Sequence, residues 1–342
     1  MRKLRNTLYI TKELCYLFRD GTNVVIKEDN KELGRFPIHV LEDIVCFNYN
    51  GASPSLIRLC NENQVGISFV SPQGNFQGRF IGKTNGNVLL RRQQYRIADE
   101  EDKSLEYAKL MILAKTSNYR KILKRIITDH SNKIDKVKVI KSIDNLEEDI
   151  DLIKKSASLD SLRGMEGDSA RTYFSCFNDL ILQQREEFIF KGRSKRPPLD
   201  NVNAMLSFGY TILTNEIQSA LETVGLDSYV GFFHTDRPGR ASLALDLIEE
   251  LRGYLVDRFV LRLINNNIIN HKMFEYKEND TVLMNEGGRE VFLKNWQLRK
   301  QEKIKHPFLE ENMEIGLLPY VQSQLLARTI RGDLKKYPPF LM

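Results

Sequence analysis

Apolar and polar positions divide the chain into two regimes. Over residues 1–85 the apolar runs are short and rich in β-branched and aromatic residues: Leu8-Tyr9-Ile10, Cys15-Tyr16-Leu17-Phe18, Asn23-Val24-Val25-Ile26 and Glu42-Asp43-Ile44-Val45-Cys46-Phe47. Turn formers separate them at Asp20-Gly21, Asp29-Asn30, Asn50-Gly51 and Pro72-Gln73-Gly74. This pattern predicts strands joined by tight turns, with one short helix over Ser55 to Asn61 and a further strand from Gly66 to Val70. After a linker, Gly82 to Asn87, the period becomes helical. Leu105, Ala108 and Leu110 to Ala114 suit one helix, and Tyr119, Ile122-Leu123 and Ile126-Ile127 a second; Ile134 to Ser156 suits one or two more. Beyond Leu263 the pattern stays helical, and after Pro338-Pro339 the last residues are expected to be loose. The fold expected is α+β: a small N-terminal β-rich domain, 1–85, followed by a larger all-helical domain, 86–342.

Two helical stretches carry acids where an apolar stripe should be. In the first, Glu166 aligns with Ala170, Tyr173, Phe177 and Leu180, and Gly164 and Gly167 on either side allow close backbone approach. In the second, Pro238-Gly239 makes a turn, Ser242 is the expected N-cap, and the helix begins near Leu243. Asp246 and Glu249 share one face with Gly253, Val256, Val260 and Leu263. A carboxylate facing inward is costly unless it is paired or binds a metal. His234, just ahead of the second helix, can close on the same point.

Charge and composition narrow the partners only slightly. Fifty-one Lys and Arg against 45 Asp and Glu give a net charge of +6, which permits nucleic-acid binding without requiring it. Cys15, Cys46, Cys60 and Cys176 form no C-x-x-C pair and read as reduced thiols of a cytoplasmic protein. No apolar run of ~18 residues predicts a membrane span, and the N-terminus lacks the apolar run of a signal peptide. More informative is the basic, proline-closed loop bearing Lys191, Arg193, Lys195 and Arg196, suited to a phosphate backbone. The run Leu90 to Arg96 and the segment Arg289 to Lys305 are also basic, and Asn203, Ser207 and Tyr210 share a helix face that could line a site.

These residues support a site of Glu166, His234 and Glu249 with Asp246 beside it. Its oxygen-rich donors favour Mg²⁺ or Mn²⁺. Arg252, one turn beyond Glu249, can hold a phosphate oxygen. A hard ion beside basic loops points to phosphodiester chemistry. Acids that are merely salt-bridged remain the alternative.

The same residues resemble a known family. Arg-Gly-Met-Glu-Gly-Asp-Ser-Ala-Arg-Thr-Tyr-Phe around Glu166 resembles the first signature of the CRISPR-associated protein one family. Asn201 to Tyr210 is similar to its second signature. Gly231 to Arg240 with Leu245 to Glu250 is similar to its third, and the His-Thr-Asp-Arg-Pro-Gly-Arg form and Phe36-Pro37-Ile38-His39 are similar to the subtype I-C branch. The resemblance implies an N-terminal β domain for dimerisation and partner contact and a helical, metal-dependent catalytic domain. It implies metal ligands at Glu166, His234 and Glu249, the last standing where many relatives have aspartate. It further implies a homodimer that clamps a dimer of CRISPR-associated protein two, and an integrase that joins 3′ ends of short double-stranded DNA into the CRISPR repeat. Family members are also metal-dependent DNA endonucleases. A stand-alone repair nuclease acting on branched DNA and a non-catalytic DNA-binding scaffold are the competing readings.

Overall fold

β-Branched and aromatic runs become strands where expected. The computed structural model describes residues 5–12, 14–29, 31–47, 51–71, 76–80, 88–194 and 197–342; the turn at 72–74, the linker at 82–87, Asn30, Asn50, Lys195 and Arg196 lie outside them. Contacts divide the chain into two units, residues 1–85 with 285–302 and 314–317, and residues 86–284 with 303–313 and 318–342. In the first, β1 (Asn6–Ile10), β2 (Cys15–Asp20), β3 (Asn23–Glu28), β4 (Lys31–Pro37), β5 (Leu41–Cys46), β6 (Gly66–Val70) and β7 (Phe76–Phe80) form two sheets. One is mixed, in the order β1-β5-β6-β7; the other is the antiparallel meander β2-β3-β4. β5 and β6 are parallel, so they need a crossover, which α1 (Pro54–Glu62) provides. Ile10, Leu17, Val24, Ile44, Leu59 and Ile67 fill the core. Cys15, Cys46 and Cys60 are buried in it as thiols outside any disulfide, and burial pushes the Cys46 and Cys60 thiols up to about 12, which leaves them unreactive.

The second unit begins with α2 (Val88–Asp99) and α3 (Glu101–His130). α3 is one helix where the sequence pattern suggested two. The polar stretch that looked like a break is buried and satisfied: Asn118 Nδ2 donates to the carbonyls of Glu250 and Phe340, each at 2.9 Å. α4 (Lys136–Lys155), α5 (Leu159–Ser175) and α6 (Asn201–Thr223) follow, capped by the side chains of Asp135, Ser158 and Asp200. α7 (Ser242–Arg252) has no side-chain cap. Ser242 lies inside the helix and donates to the Thr235 carbonyl at 3.2 Å, so its expected capping role is not realised. A π-helical turn, Gly253–Asp257, leads into α8 (Arg258–Asn265). The unit is not all helical: β8 (Phe274–Tyr276) and β9 (Val282–Met284) make a hairpin too short for a period of two to show in the sequence.

The basic segment 289–305 is not one open face. Its helix, α9 (Glu286–Gln301), packs with the first unit, burying Phe292 and Trp296. Gln297 Nε2 donates to the Thr7 carbonyl at 2.8 Å, and buried Lys300 donates to Thr7 Oγ1 at 3.2 Å. The expected helical domain over 86–342 is therefore interrupted. α10 (Leu318–Arg331) returns to the second unit. The C-terminal tail is not loose either. Tyr337 and Phe340 are buried, Tyr337 donates to Glu250 Oε1 at 2.6 Å, and Met342 N donates to Asn118 Oδ1 at 2.9 Å. Among the described residues no helix is long and apolar enough to cross a membrane.

Candidate functional site

Three helices and one loop of the second unit gather charge at one place. α5 carries Glu166, α7 carries Glu249 and Arg252, and the loop before α7 carries His234. The centre of the group is a residue the sequence pattern concealed, Lys115 of α3. Its ammonium contacts Glu166 Oε1 and lies 2.5 Å from Glu249 Oε2. The lysine side chain is 1% exposed, Glu249 7% and Glu166 24%, so the site opens to solvent on the Glu166 side. Arg252 Nη1 donates to Glu249 Oε1 at 3.1 Å. Burial alone would raise the Glu249 carboxyl; Lys115, then Arg252 and His234, more than offset this and bring it down to about 2.

His234 is held from behind by Asp246. The Asp246 carboxylate is fully buried and accepts from the backbone N–H groups of Phe232, Phe233 and His234 at 2.6, 2.9 and 2.8 Å. Its Oδ1 also lies 2.7 Å from His234 Nδ1. Asp246 therefore lies behind the imidazole, on the side of the ring away from Nε2, and braces it. Fixing Nδ1 in this way leaves Nε2 as the ring nitrogen with no hydrogen bond among the described residues. The loop can wrap so tightly because residue 231 is glycine: a Cβ there would meet Asp246 Oδ2 and Ser242 Cβ at 2.8 Å. Arg163, one turn before Glu166, ties α5 to the same loop by donating to the Phe233 carbonyl at 3.2 Å.

Beneath these groups lies an aromatic and cationic layer. Tyr119 of α3 stacks on Tyr173 of α5, with centroids 3.8 Å apart. Arg252 lies 4.1 Å and Arg193 5.3 Å from the centroid of the Tyr210 ring. Tyr210 donates to Asp257, which the π-helical turn directs inward; burial pushes the Asp257 carboxyl up to about 6, against the pull of Arg252 and this hydrogen bond. Arg193 is not a free loop cation. It donates to Asn203 Oδ1 at 2.7 Å and to Ser207 Oγ at 3.2 Å, so the polar face of α6 binds this arginine. Lys191 is exposed as expected. Gly164 and Gly167 serve no helix packing, since a Cβ at either would meet nothing within 4 Å; they leave the backbone around Glu166 bare.

Among the described residues no three His, Cys, Asp or Glu side chains converge tightly enough to hold an ion as they stand. The donor chemistry nevertheless fits one. Two carboxylates already share a single cation, the Lys115 ammonium, and an imidazole with one nitrogen fixed is near enough to pull the Glu249 carboxyl down. Hard oxygen donors with one imidazole suit Mg²⁺ or Mn²⁺.

Fold and site together define a protein with a β-rich unit and a helical unit, the latter holding two acids on one lysine with an arginine and a braced imidazole nearby. A family model described as CRISPR associated protein Cas1 matches residues 8–298. The chain belongs to this family. It is 44% identical over 341 residues to CRISPR-associated endonuclease Cas1 1 of Chlorobaculum tepidum, covering 100% of this chain and 99% of that one. Its fold is similar to that of a casposase bound to integration product, with TM-score 0.82 and 22% identity, over 97% of this chain and 92% of that chain. It is also similar to a chain of a Cas6-RT-Cas1–Cas2 complex, with TM-score 0.83 and 21% identity, over 99% of this chain and 36% of that chain.

Proposed function

We propose that this protein is a metal-dependent DNA endonuclease and integrase of CRISPR adaptation, acting in the cytoplasm and joining 3′-hydroxyl ends of short duplex DNA into the CRISPR repeat. The observation that carries this reading is that Glu166 and Glu249, from different helices, meet at one cation with His234 alongside. The name of the Chlorobaculum relative, an endonuclease, and the integration product on the casposase support it. In this reading the β-rich unit makes the dimer contacts and those to a Cas2 dimer; the Cas1–Cas2 assembly that holds the third relative supports Cas2 as a partner.

Glu166, Glu249 and His234 Nε2 are the groups that would hold Mg²⁺ or Mn²⁺. When bound, such an ion polarises the phosphoryl group and lowers the pKa of an attacking hydroxyl. Asp246 fixes the tautomer and direction of His234. Arg252, braced by Glu249 and the Tyr210 ring, is the guanidinium that would hold a phosphate oxygen, and its Nε has no hydrogen-bond partner among the described residues. Lys191 adds a phosphate contact, with Lys195 and Arg196 beyond it in sequence. The site supplies no covalent nucleophile: Cys176 is buried and donates to Ser142 Oγ at 3.0 Å. The attacker is then the 3′-hydroxyl of the incoming DNA. A bond forms between its oxygen and the repeat phosphorus, the target P–O3′ bond breaks, and the hydroxyl proton ends on the leaving oxygen.

One observation favours a second reading, a non-catalytic scaffold: Lys115 already salt-bridges both acids. That reading gives no role to the Asp246 brace on His234. A single assay separates the readings. A short duplex with a normal 3′-hydroxyl, or with a 3′-deoxy end, is incubated with a repeat target, Cas2 and Mn²⁺. The integrase yields a branched product from the hydroxyl end alone, and none after Glu166→Ala or His234→Ala. Equal target cutting with both ends and no branched product establishes a lone nuclease; no Mn²⁺-dependent product at all establishes the scaffold.

A further inference from the structure

The candidate metal site contains a cation that belongs to the chain. An ammonium as deeply buried as that of Lys115 is costly unless its neighbours neutralise it, and its neighbours here are Glu166 and Glu249. A divalent ion held by the same carboxylates would face this positive charge at close range, so the two cations compete for one position. α3 offers the ammonium a second seat. The Tyr119 ring, one turn on, has its centroid 5.7 Å from Nζ, and an aromatic face attracts a cation.

We infer that Lys115 is the site's resident counter-ion: it holds Glu166 and Glu249 together while no divalent ion is bound, and withdraws toward Tyr119 when one enters. The inference rests on the metal reading above and adds a consequence to it. The lysine preassembles the two acids at the expense of metal affinity, so it sets the metal concentration at which the site loads.

The test uses the full chain without DNA. Mn²⁺ binding is followed by loss of the free-Mn²⁺ electron paramagnetic resonance signal, and melting is measured in chelator and in Mn²⁺. Lys115→Met removes the charge and keeps an unbranched side chain; it should bind Mn²⁺ at least about tenfold more tightly than the parent, because the competing charge is gone. Lys115→Arg keeps the charge and should stay within about threefold of the parent. In chelator Lys115→Met should melt below the parent, since two carboxylates are left facing each other, and Mn²⁺ should raise its melting temperature more than the parent's. Should Lys115→Met fail to fold in chelator, refolding with Mn²⁺ must restore it. Equal or weaker Mn²⁺ binding by Lys115→Met, or no restoration by Mn²⁺, overturns the role of the lysine. Absence of Mn²⁺ binding in every protein, or binding that survives Glu166→Gln and His234→Ala, overturns the metal reading instead.

Discussion

Asp257 offers a quantitative check on the layer beneath the site. Its carboxyl is pushed from an ordinary 3.8 up to about 6, chiefly by burial, with Arg252 and the Tyr210 hydrogen bond pulling the other way. Between those two values the native state holds more proton than the unfolded chain. Stability contributed by the neutral acid is therefore fully present below pH 3.8, falls as pH rises through about 6, and is flat above. The shift corresponds to ~3 kcal/mol lost by pH 8 relative to a group that stays neutral. Asp257→Asn is such a group. Its Oδ1 can still accept from Tyr210, and its Nδ2 replaces Oδ2, which has no hydrogen-bond partner among the described residues. Tyr173 OH also meets no hydrogen-bond geometry among the described residues, but it stands near enough to Asp257 to pull the carboxyl down, and it can accept from the new Nδ2. We expect the variant to match the parent near pH 4 and to exceed it by ~3 kcal/mol at pH 8, a gain of about 6–12 °C in melting temperature for a unit of this size. Thermal or urea unfolding of both proteins in chelator at several pH values reads this directly. Glu250, which burial raises to about 7, titrates in the same range, but it is present in both proteins and cancels in the difference. A variant less stable than the parent at pH 8 would show that the ionised carboxylate is favoured by its surroundings, and the account of this layer would be wrong.

Two further changes probe the site from other sides. Asp246→Asn sets an amide NH2 against backbone N–H groups that now donate to the carboxylate, so it should cost about 1–3 kcal/mol of stability and reduce DNA joining about 10–100-fold, the usual cost of losing a group that orients a metal-binding histidine; wild-type joining, with unchanged nitrogen-15 shifts of the His234 ring, would dismiss the positioning role. Lys191→Ala should make the slope of log K against log salt for DNA binding shallower by about 0.9. Arg193→Ala should instead cost about 1–3 kcal/mol of stability, because buried Asn203 loses a charged donor. The reverse pattern would mean that Arg193 leaves α6 to meet DNA.

The elements with strong periodicity were legible in the sequence. The strands from β1 to β3, β5 and β6 fall on the β-branched runs, and α5 and α7 fall where acids head apolar stripes. The stripes around Glu166 and Glu249 marked acids that share one cation, Lys115, and His234 stands against Asp246. Lys115 was missed for a definite reason. Leu105, Ala108, Ile112, Tyr119 and Ile122 step by three and four along one face of α3, and the lysine fills the gap at 115. Two helices were expected on either side of this position, where one helix runs through and the lysine is the counter-charge to two acids elsewhere. Glu166 and Glu249 suggested buried carboxylates, but nothing local could say which cation answered them, since the partner lies on a third helix. The tail misled in the opposite way. Pro338-Pro339 resembles a loose end, yet Phe340 is fully buried and its carbonyl accepts from Asn118.

The buried acids of α7 explain why so much of the chain converges on this helix. Asp246, Glu249 and Glu250 are all nearly inaccessible, and a buried carboxylate must be neutralised or hydrogen-bonded. Each is answered differently. Asp246 takes backbone donors and the His234 ring, which fixes the loop. Glu250 takes neutral donors from Tyr337, Gln322 and the Phe340 backbone, which anchors the tail and α10; burial dominates there, so its carboxyl rises. Glu249 alone is answered by full charges, Lys115 and Arg252, and its carboxyl falls. With two sides of α7 held by the loop and the tail, the third can carry an acid whose counter-charge is exchangeable. On the proposed exchange of Lys115 for a divalent ion, α7 would stay in place while the cation at this face changes.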